Sequence, residues 1–155
     1  MTSSPCPARF RVVLIAGLGL LAACSPRPTP EVQVRAVLAS GERAAEARNL
    51  SAVMALVSSR YEDAAGGSAV ELGRYLRGYF MANPSLHLAI RVESIEFPYR
   101  DMARARVTLG TLGRDAARGA GLEVAAGLYD VRVDLQLERG EWKVTRAEWH
   151  PVAPG

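Results

Sequence analysis

Midway along the chain the apolar residues change period. Before Asn83-Pro84 they recur at the spacing of a helix face; after it they alternate as in a strand. A helix-period segment does not settle as a strand, nor the reverse, so the chain is committed to an α+β arrangement. Helices come first and a sheet follows, each with one apolar side that the other must cover.

The helical half divides into three. Thr29 caps a first helix, with Pro30 at its first position and Glu31 in the first turn, where an acid suits the helix dipole. Val34, Val37, Leu38, Gly41, Ala44 and Ala45 share one face of it, as far as about Arg48. Asn49 ends that helix or caps a second, predicted from Leu50 to Val57 with Val53, Leu56 and Val57 inward. Arg60 to Gly67 reads as a loop. Ser68-Ala69-Val70-Glu71 is a capping box, in which serine and glutamate satisfy free backbone amides reciprocally. It opens a third helix with Leu72, Leu76, Tyr79 and Phe80 on one stripe, and the proline after Asn83 stops it.

Four strands follow. In the first, Leu86, Leu88, Ile90 and Val92 are inward, and then the parity shifts to Ile95 and Phe97. Ala103, Ala105, Val107 and Leu109 form the second. The third begins with Leu122, Val124, Ala126 and Leu128 and shifts to Val131, Val133, Leu135 and Leu137. After a tight turn at Arg139-Gly140, the fourth carries Trp142 and Val144, then Ala147 and Trp149. A parity shift inside a strand requires an extra residue, a β-bulge, which bends the strand. Shifts in three strands of four predict three N-terminal helices packed on a strongly curved, mainly antiparallel four-stranded sheet, a cone with an open mouth. Asp130, Arg132, Asp134, Gln136 and Glu138 alternate with the apolar residues of the third strand, which marks a solvated outer face. Gly110, Gly113, Gly119 and Gly121 lie between strands. They suit a hairpin connection, since a phosphate loop leads into a helix.

The first residues have a different character. Met1 to Arg11 carry two arginines and no acid, and Val12 to Ala23 are uncharged and apolar. That apolar run is far short of the ~20 residues needed to span a bilayer, so it reads as the core of a signal peptide. It ends in Leu21-Ala22-Ala23-Cys24, which resembles the lipobox of bacterial lipoproteins. The resemblance implies a signal peptide over residues 1–23, cleavage before Cys24 and diacylglycerol on its sulfur. Ser25 in place of an aspartate implies retention at the outer membrane of a two-membrane cell, facing the periplasm. Two or more acyl chains make such an anchor durable. Residues 24–30 are then the lipidated cysteine and a proline-rich tether of about 20 Å, and residues 31–152 the folded domain. Cys6 leaves with the signal and Cys24 carries lipid, so no disulfide is expected. The formal charge of +3 falls to +1 without Arg9 and Arg11, which removes any electrostatic case for a nucleic-acid partner.

The helix-helix-loop-helix-strands order, Arg48-Asn49-Leu50-Ser51 with Leu56-Val57, and Gly140-Glu141-Trp142-Lys143-Val144 running to Trp149-His150-Pro151 together resemble the nuclear transport factor 2-like superfamily. That superfamily includes SnoaL-like cyclases, ketosteroid isomerases and scytalone dehydratase, and its fold does not choose a function. The isomerase pattern places a tyrosine on the first helix about two turns before Asn49; here stand Gly41 and alanines. Its carboxylate falls near Glu62 and Asp63. The dehydratase pattern needs an inward aspartate with histidines, but only His87 and His150 exist, and His87 has outward parity. Ser58-Ser59 has no histidine placed to activate it. With no catalytic set, no metal cluster and no cofactor motif, the leading expectation is a non-enzymatic envelope lipoprotein. It would bind a protein partner or a small apolar ligand. Tyr61, Tyr75, Tyr79, Phe97 and Trp149 are the candidate pocket-lining residues, weighed against plain core filling. The alternatives are an enzyme on a hydrophobic metabolite, with Glu62, Asp63 or Tyr79 in acid-base roles, and an immunity or secretion-accessory lipoprotein.

Overall fold

A computed structural model describes residues 28–112 and 127–152. Three helices precede four strands: α1 (Pro30–Glu46), α2 (Leu50–Ala55), α3 (Ala69–Ala82), β1 (His87–Tyr99), β2 (Met102–Leu112), β3 (Gly127–Glu138) and β4 (Glu141–Pro151). The strands form one antiparallel sheet in the order β1-β2-β3-β4.

Local chemistry sets the helix ends. The Thr29 hydroxyl accepts the Val32 amide at the start of α1. That helix stops at Glu46 rather than near Arg48, because Arg48 turns into the left-handed region (φ 52°). The Arg48 and Asn49 amides then fold back onto the Ala45 and Ala44 carbonyls, a Schellman closure with arginine at the position that usually holds glycine. Asn49 caps α2 through the Ala52 amide. α2 ends at Ala55, two residues short of the expected Val57. Leu56 to Ser58 instead pair with the free edge of β4, where Val57 bridges Val144 in parallel. The Ser68–Glu71 capping box is present at α3. Asn83 closes the other end of α3, with both its amides donating to the Tyr79 carbonyl.

Register shifts fall between Val92 and Ser94 and again between Glu96 and Tyr99 in β1, and opposite Asp134 and Leu135 where β4 passes from Val144 to Arg146. The first and the last were expected from parity. The shift expected in β3 is absent: β2 and β3 pair without interruption from Met102↔Gln136 to Thr111↔Gly127. The inward set is therefore Tyr129, Val131, Val133 and Leu135, with Leu137 on the same face but exposed at the rim, while Leu128 points outward and is 56% exposed. Leu122, Val124 and Ala126, and the loop from Gly113 to Gly121, lie outside the described residues. The β3–β4 turn has positive φ at both Arg139 and Gly140, as a two-residue hairpin requires.

The core sits at one end of the sheet. Val34 of α1 packs with Ala103, Ala105, Val107, Val133, Leu135 and Trp142, with Val37 and Leu38 beside them. The Trp142 indole donates to the Gln33 side chain at 3.1 Å. α1 also serves the open edge of β1: the Glu42 and Glu46 carboxylates accept the Ile90 and Leu88 amides, each at 3.0 Å. Part of each sheet edge is thus occupied within the chain, which blunts edge-to-edge association.

Candidate functional site

α1 fills the sheet at the Trp142 end, whereas α3 packs against α2 and covers the other end. Between α3 and that end of the sheet lies a cavity of about 190 Å³. Tyr75, Leu76, Tyr79 and Phe80 line it from the helix; Leu88, Leu109, Tyr129, Val131 and Trp149 line it from the four strands. The strand ends meet there because antiparallel pairing brings the start of β1, the end of β2, the start of β3 and the end of β4 to one side.

The helical side is aromatic. Tyr75 and Tyr79 stack with ring centroids 6.1 Å apart, and Phe80 meets Tyr79 edge-on at 6.3 Å. Burial pushes the Tyr75 phenol above its ordinary pKa, and the neighbouring phenols of Tyr79 and Tyr129 push it further. Burial, then Tyr129, does the same to Tyr79. At neutral pH both are protonated donors, not bases. The Tyr75 hydroxyl is shut off from solvent and meets no hydrogen-bond partner among the described residues. The polar side chains around the cavity are otherwise Thr111, which is buried, and the other tyrosines. Among the described residues no carboxylate or imidazole lines it, and no cluster of His, Cys, Asp and Glu is placed to hold a metal ion.

Of the five aromatic residues singled out from the sequence, Tyr75, Tyr79 and Trp149 come together at this cavity. The other two do not. Phe97 lies at the opposite end, edge-on to Trp142 at 5.9 Å, because it stands near the end of β1 whereas the cavity lies at that strand's start. Tyr61 is buried to 3% exposure beside β4, where the loop after α2 is pinned by the Glu62 amide on the Thr145 carbonyl. Glu62 is exposed. Asp63 accepts the Ala65 and Gly67 amides, which ties its carboxylate to its own turn. Ser58 donates to Glu138 and holds the loop to the end of β3. His87 is exposed, as its parity predicts. Cys24 lies outside the described residues. Tyr129 and Leu109 are lining residues that sequence reasoning missed. Tyr129 was readable from the unbroken alternation Tyr129, Val131, Val133, Leu135.

No family model matches the sequence, and no curated protein matches it. Solved structures do match the fold. A ketosteroid isomerase-like protein from Erwinia carotovora atroseptica is 16% identical, with 79% of this chain and 95% of that one covered at a TM-score of 0.62. A nuclear transport factor 2-like protein of unknown function from Shewanella baltica is 12% identical over 79% and 93%, at 0.55. Bdellovibrio bacteriovorus Bd1075 is 9% identical at 0.65 over 79% of this chain. The match spans only 40% of that longer protein. The fold is nuclear transport factor 2-like, and identities this low carry no statement about chemistry.

Proposed function

We propose that the chain is a lipid-anchored, non-enzymatic envelope protein whose nuclear transport factor 2-like domain holds a small apolar ligand beneath α3. The cavity is the observation that carries this reading. An apolar cavity of roughly 150 Å³ in another protein stays dry and takes up benzene, whereas drug-sized ligands occupy about 300–1,000 Å³. At about 190 Å³ the space suits a single-ring or short-chain compound and is too small for a fused polycycle. The unpaired Tyr75 hydroxyl supports a ligand with one oxygen acceptor, because leaving that donor unmet in an apolar wall is costly. The absence of a carboxylate or imidazole among the described lining residues favours binding over acid-base chemistry.

The anchor is the other half of the proposal. Its support is the order of basic residues, short apolar run, Leu21-Ala22-Ala23-Cys24 and prolines. It places the domain within a tether's length of the membrane, on the periplasmic side of an outer membrane. A Cys24→Ala chain is expected to leave the membrane fraction; if it stays, the anchoring claim is wrong.

The ligand claim is tested by organic extraction and mass spectrometry of the full chain purified from its membrane. The wild type is expected to yield one dominant apolar compound. Leu109→Trp, which fills the cavity, and Tyr79→Ala, which opens its wall, are expected to lose it. Retention of the compound by a folded Leu109→Trp protein would place the ligand elsewhere.

A further inference from the structure

The outer face of the sheet is laced with charge, and most of it is matched. Arg91 pairs with Glu93, Arg104 with Asp134 and Arg146 with Glu148, at 2.9, 2.8 and 2.6 Å. One place breaks the pattern. Arg106 of β2 and Arg132 of β3 stand directly opposite each other in the register, and neither makes an ion pair or hydrogen bond among the described residues. Directly opposed like charges destabilise a sheet, their Cβ atoms being about 5 Å apart.

The neighbouring acids are committed elsewhere. Thr108 and Arg91 occupy Glu93, and Arg104 occupies Asp134; Glu148 stands opposite Arg132 across the β3–β4 ladder, but its carboxylate accepts from Arg146. Glu96 stands beside Arg104 and offsets its charge. The bulge in β1 takes Glu93 out of register and sets Ser94 opposite Arg106. Ser94, Glu96, Arg104, Arg106 and Arg132 then enclose a concavity of about 170 Å³ on this face. Bulges commonly re-aim a side chain in this way beside a site.

We propose that this concavity binds a phosphate-class oxyanion between Arg106 and Arg132, with the Ser94 hydroxyl as a third donor. Two guanidinium forks present parallel N–H pairs that fit the edges of a tetrahedral anion, and a double negative charge answers both cations at once. Chloride is a single centre with no edge to offer a fork, and a lone carboxylate has one edge for two forks. The anion turns a repulsive cross-strand pair into a clamp, so binding stabilises the fold by mass action. A free phosphate or phosphomonoester supplies both the tetrahedral oxygens and the double charge; the phosphodiester headgroup of a lipid supplies the same oxygen edges with a single charge.

The test uses the full chain in low-salt, phosphate-free buffer, titrated calorimetrically with inorganic phosphate and, separately, with short-chain dihexanoyl phosphatidylglycerol below its micelle concentration. Saturable binding of at least one is expected, weakened about tenfold or more by Arg106→Ala and by Arg132→Ala. Phosphate binding with a silent diester assigns the site to free phosphate or monoesters. A diester that binds as well or better assigns it to a lipid headgroup. Binding of neither, or undiminished binding by the double alanine variant, overturns the proposal. Arg132→Gln guards against simple misfolding. Its unfolding midpoint without phosphate is expected to equal or exceed the parent's, and phosphate is expected to raise the parent's midpoint alone. A variant that still responds to phosphate refutes the site.

Discussion

Tyr61 offers the most quantitative check on how the loop after α2 is held. Its ring is 3% exposed and its hydroxyl makes no well-formed hydrogen bond among the described residues, with only the Ala147 backbone near enough to act as a weak partner. A buried hydroxyl left unpaired costs about 1–3 kcal/mol. Tyr61→Phe deletes that oxygen and keeps the ring, so the variant is expected to be more stable by about 1 kcal/mol at pH 7. The pH dependence sharpens the test. Burial, with the Asp63 carboxylate second, pushes the phenol from 10.0 up to about 12. Above about pH 10 the unfolded chain gives up this proton while the folded one keeps it, so the native state binds more protons and stability falls as pH rises. The loss runs at about 1.4 kcal/mol per pH unit across that window, and Tyr61→Phe escapes it. Urea unfolding of both proteins at pH 7, 9, 10 and 11 and constant ionic strength is expected to show a gap near 1 kcal/mol at pH 7, widening to about 2 at pH 11. A variant less stable than wild type at pH 7, or a gap that stays flat from pH 9 to 11, would refute the picture of an orphaned, desolvated phenol.

Three further changes probe the scaffold. Leu135 is fully buried among Val34, Ala105 and Trp142; Leu135→Ala is expected to cost about 3 kcal/mol, read as a lower urea midpoint at unchanged slope. Glu42→Ala strips the acceptor from the Ile90 amide on the open edge of β1. It should cost about 1–2 kcal/mol and speed hydrogen exchange at Ile90 specifically. Arg48→Gly relieves the left-handed position in the α1 closure (φ 52°) and is expected to raise stability by about 1 kcal/mol.

The local chemistry of this fold was readable because it is local. Thr29, Ser68 with Glu71, and Asn83-Pro84 act on amides within a few residues, and each marks a real helix end. The bulges in β1 and β4 were readable as well, since an extra residue shows directly as a break in alternation. The reading failed in β3 because parity was carried forward from Leu122 to Leu128. The register runs back from the β2 partner instead, with Leu109 opposite Tyr129. It also failed at Val57, whose apolar side suits a helix face equally well. Only the free edge of β4, far along the sequence, makes a bridge the better use of its backbone. Glu42 and Glu46 carried no signal at all. A carboxylate on the β1-facing side of α1 is explained by edge amides more than forty residues away.

The cavity was partly visible for the same reason. Tyr75 and Tyr79 could be placed on one side of α3, but whether that side met a filled core or a space depended on how the other helices use the sheet. α1 lays Val34, Val37 and Leu38 onto the strands, small side chains that allow close approach. α3 presents Tyr75, Tyr79 and Phe80 instead. Rings of that length hold a helix axis away from the sheet, and three of them do not fill the gap they create. α3 is also held by α2, with Met54 beside Gly73, and by the Ser68 bridge to Glu62 at its start. A helix held from behind in this way, over long side chains, keeps its space without close packing on the sheet. A ligand can therefore enter by rotamer changes of the rings, with the sheet and both caps left in place. Replacing Tyr75 and Tyr79 together by leucine tests this: α3 is expected to settle toward the sheet and the space to shrink. A crystal structure of that double variant with α3 unmoved and the cavity enlarged would show that the rings are not what holds it open.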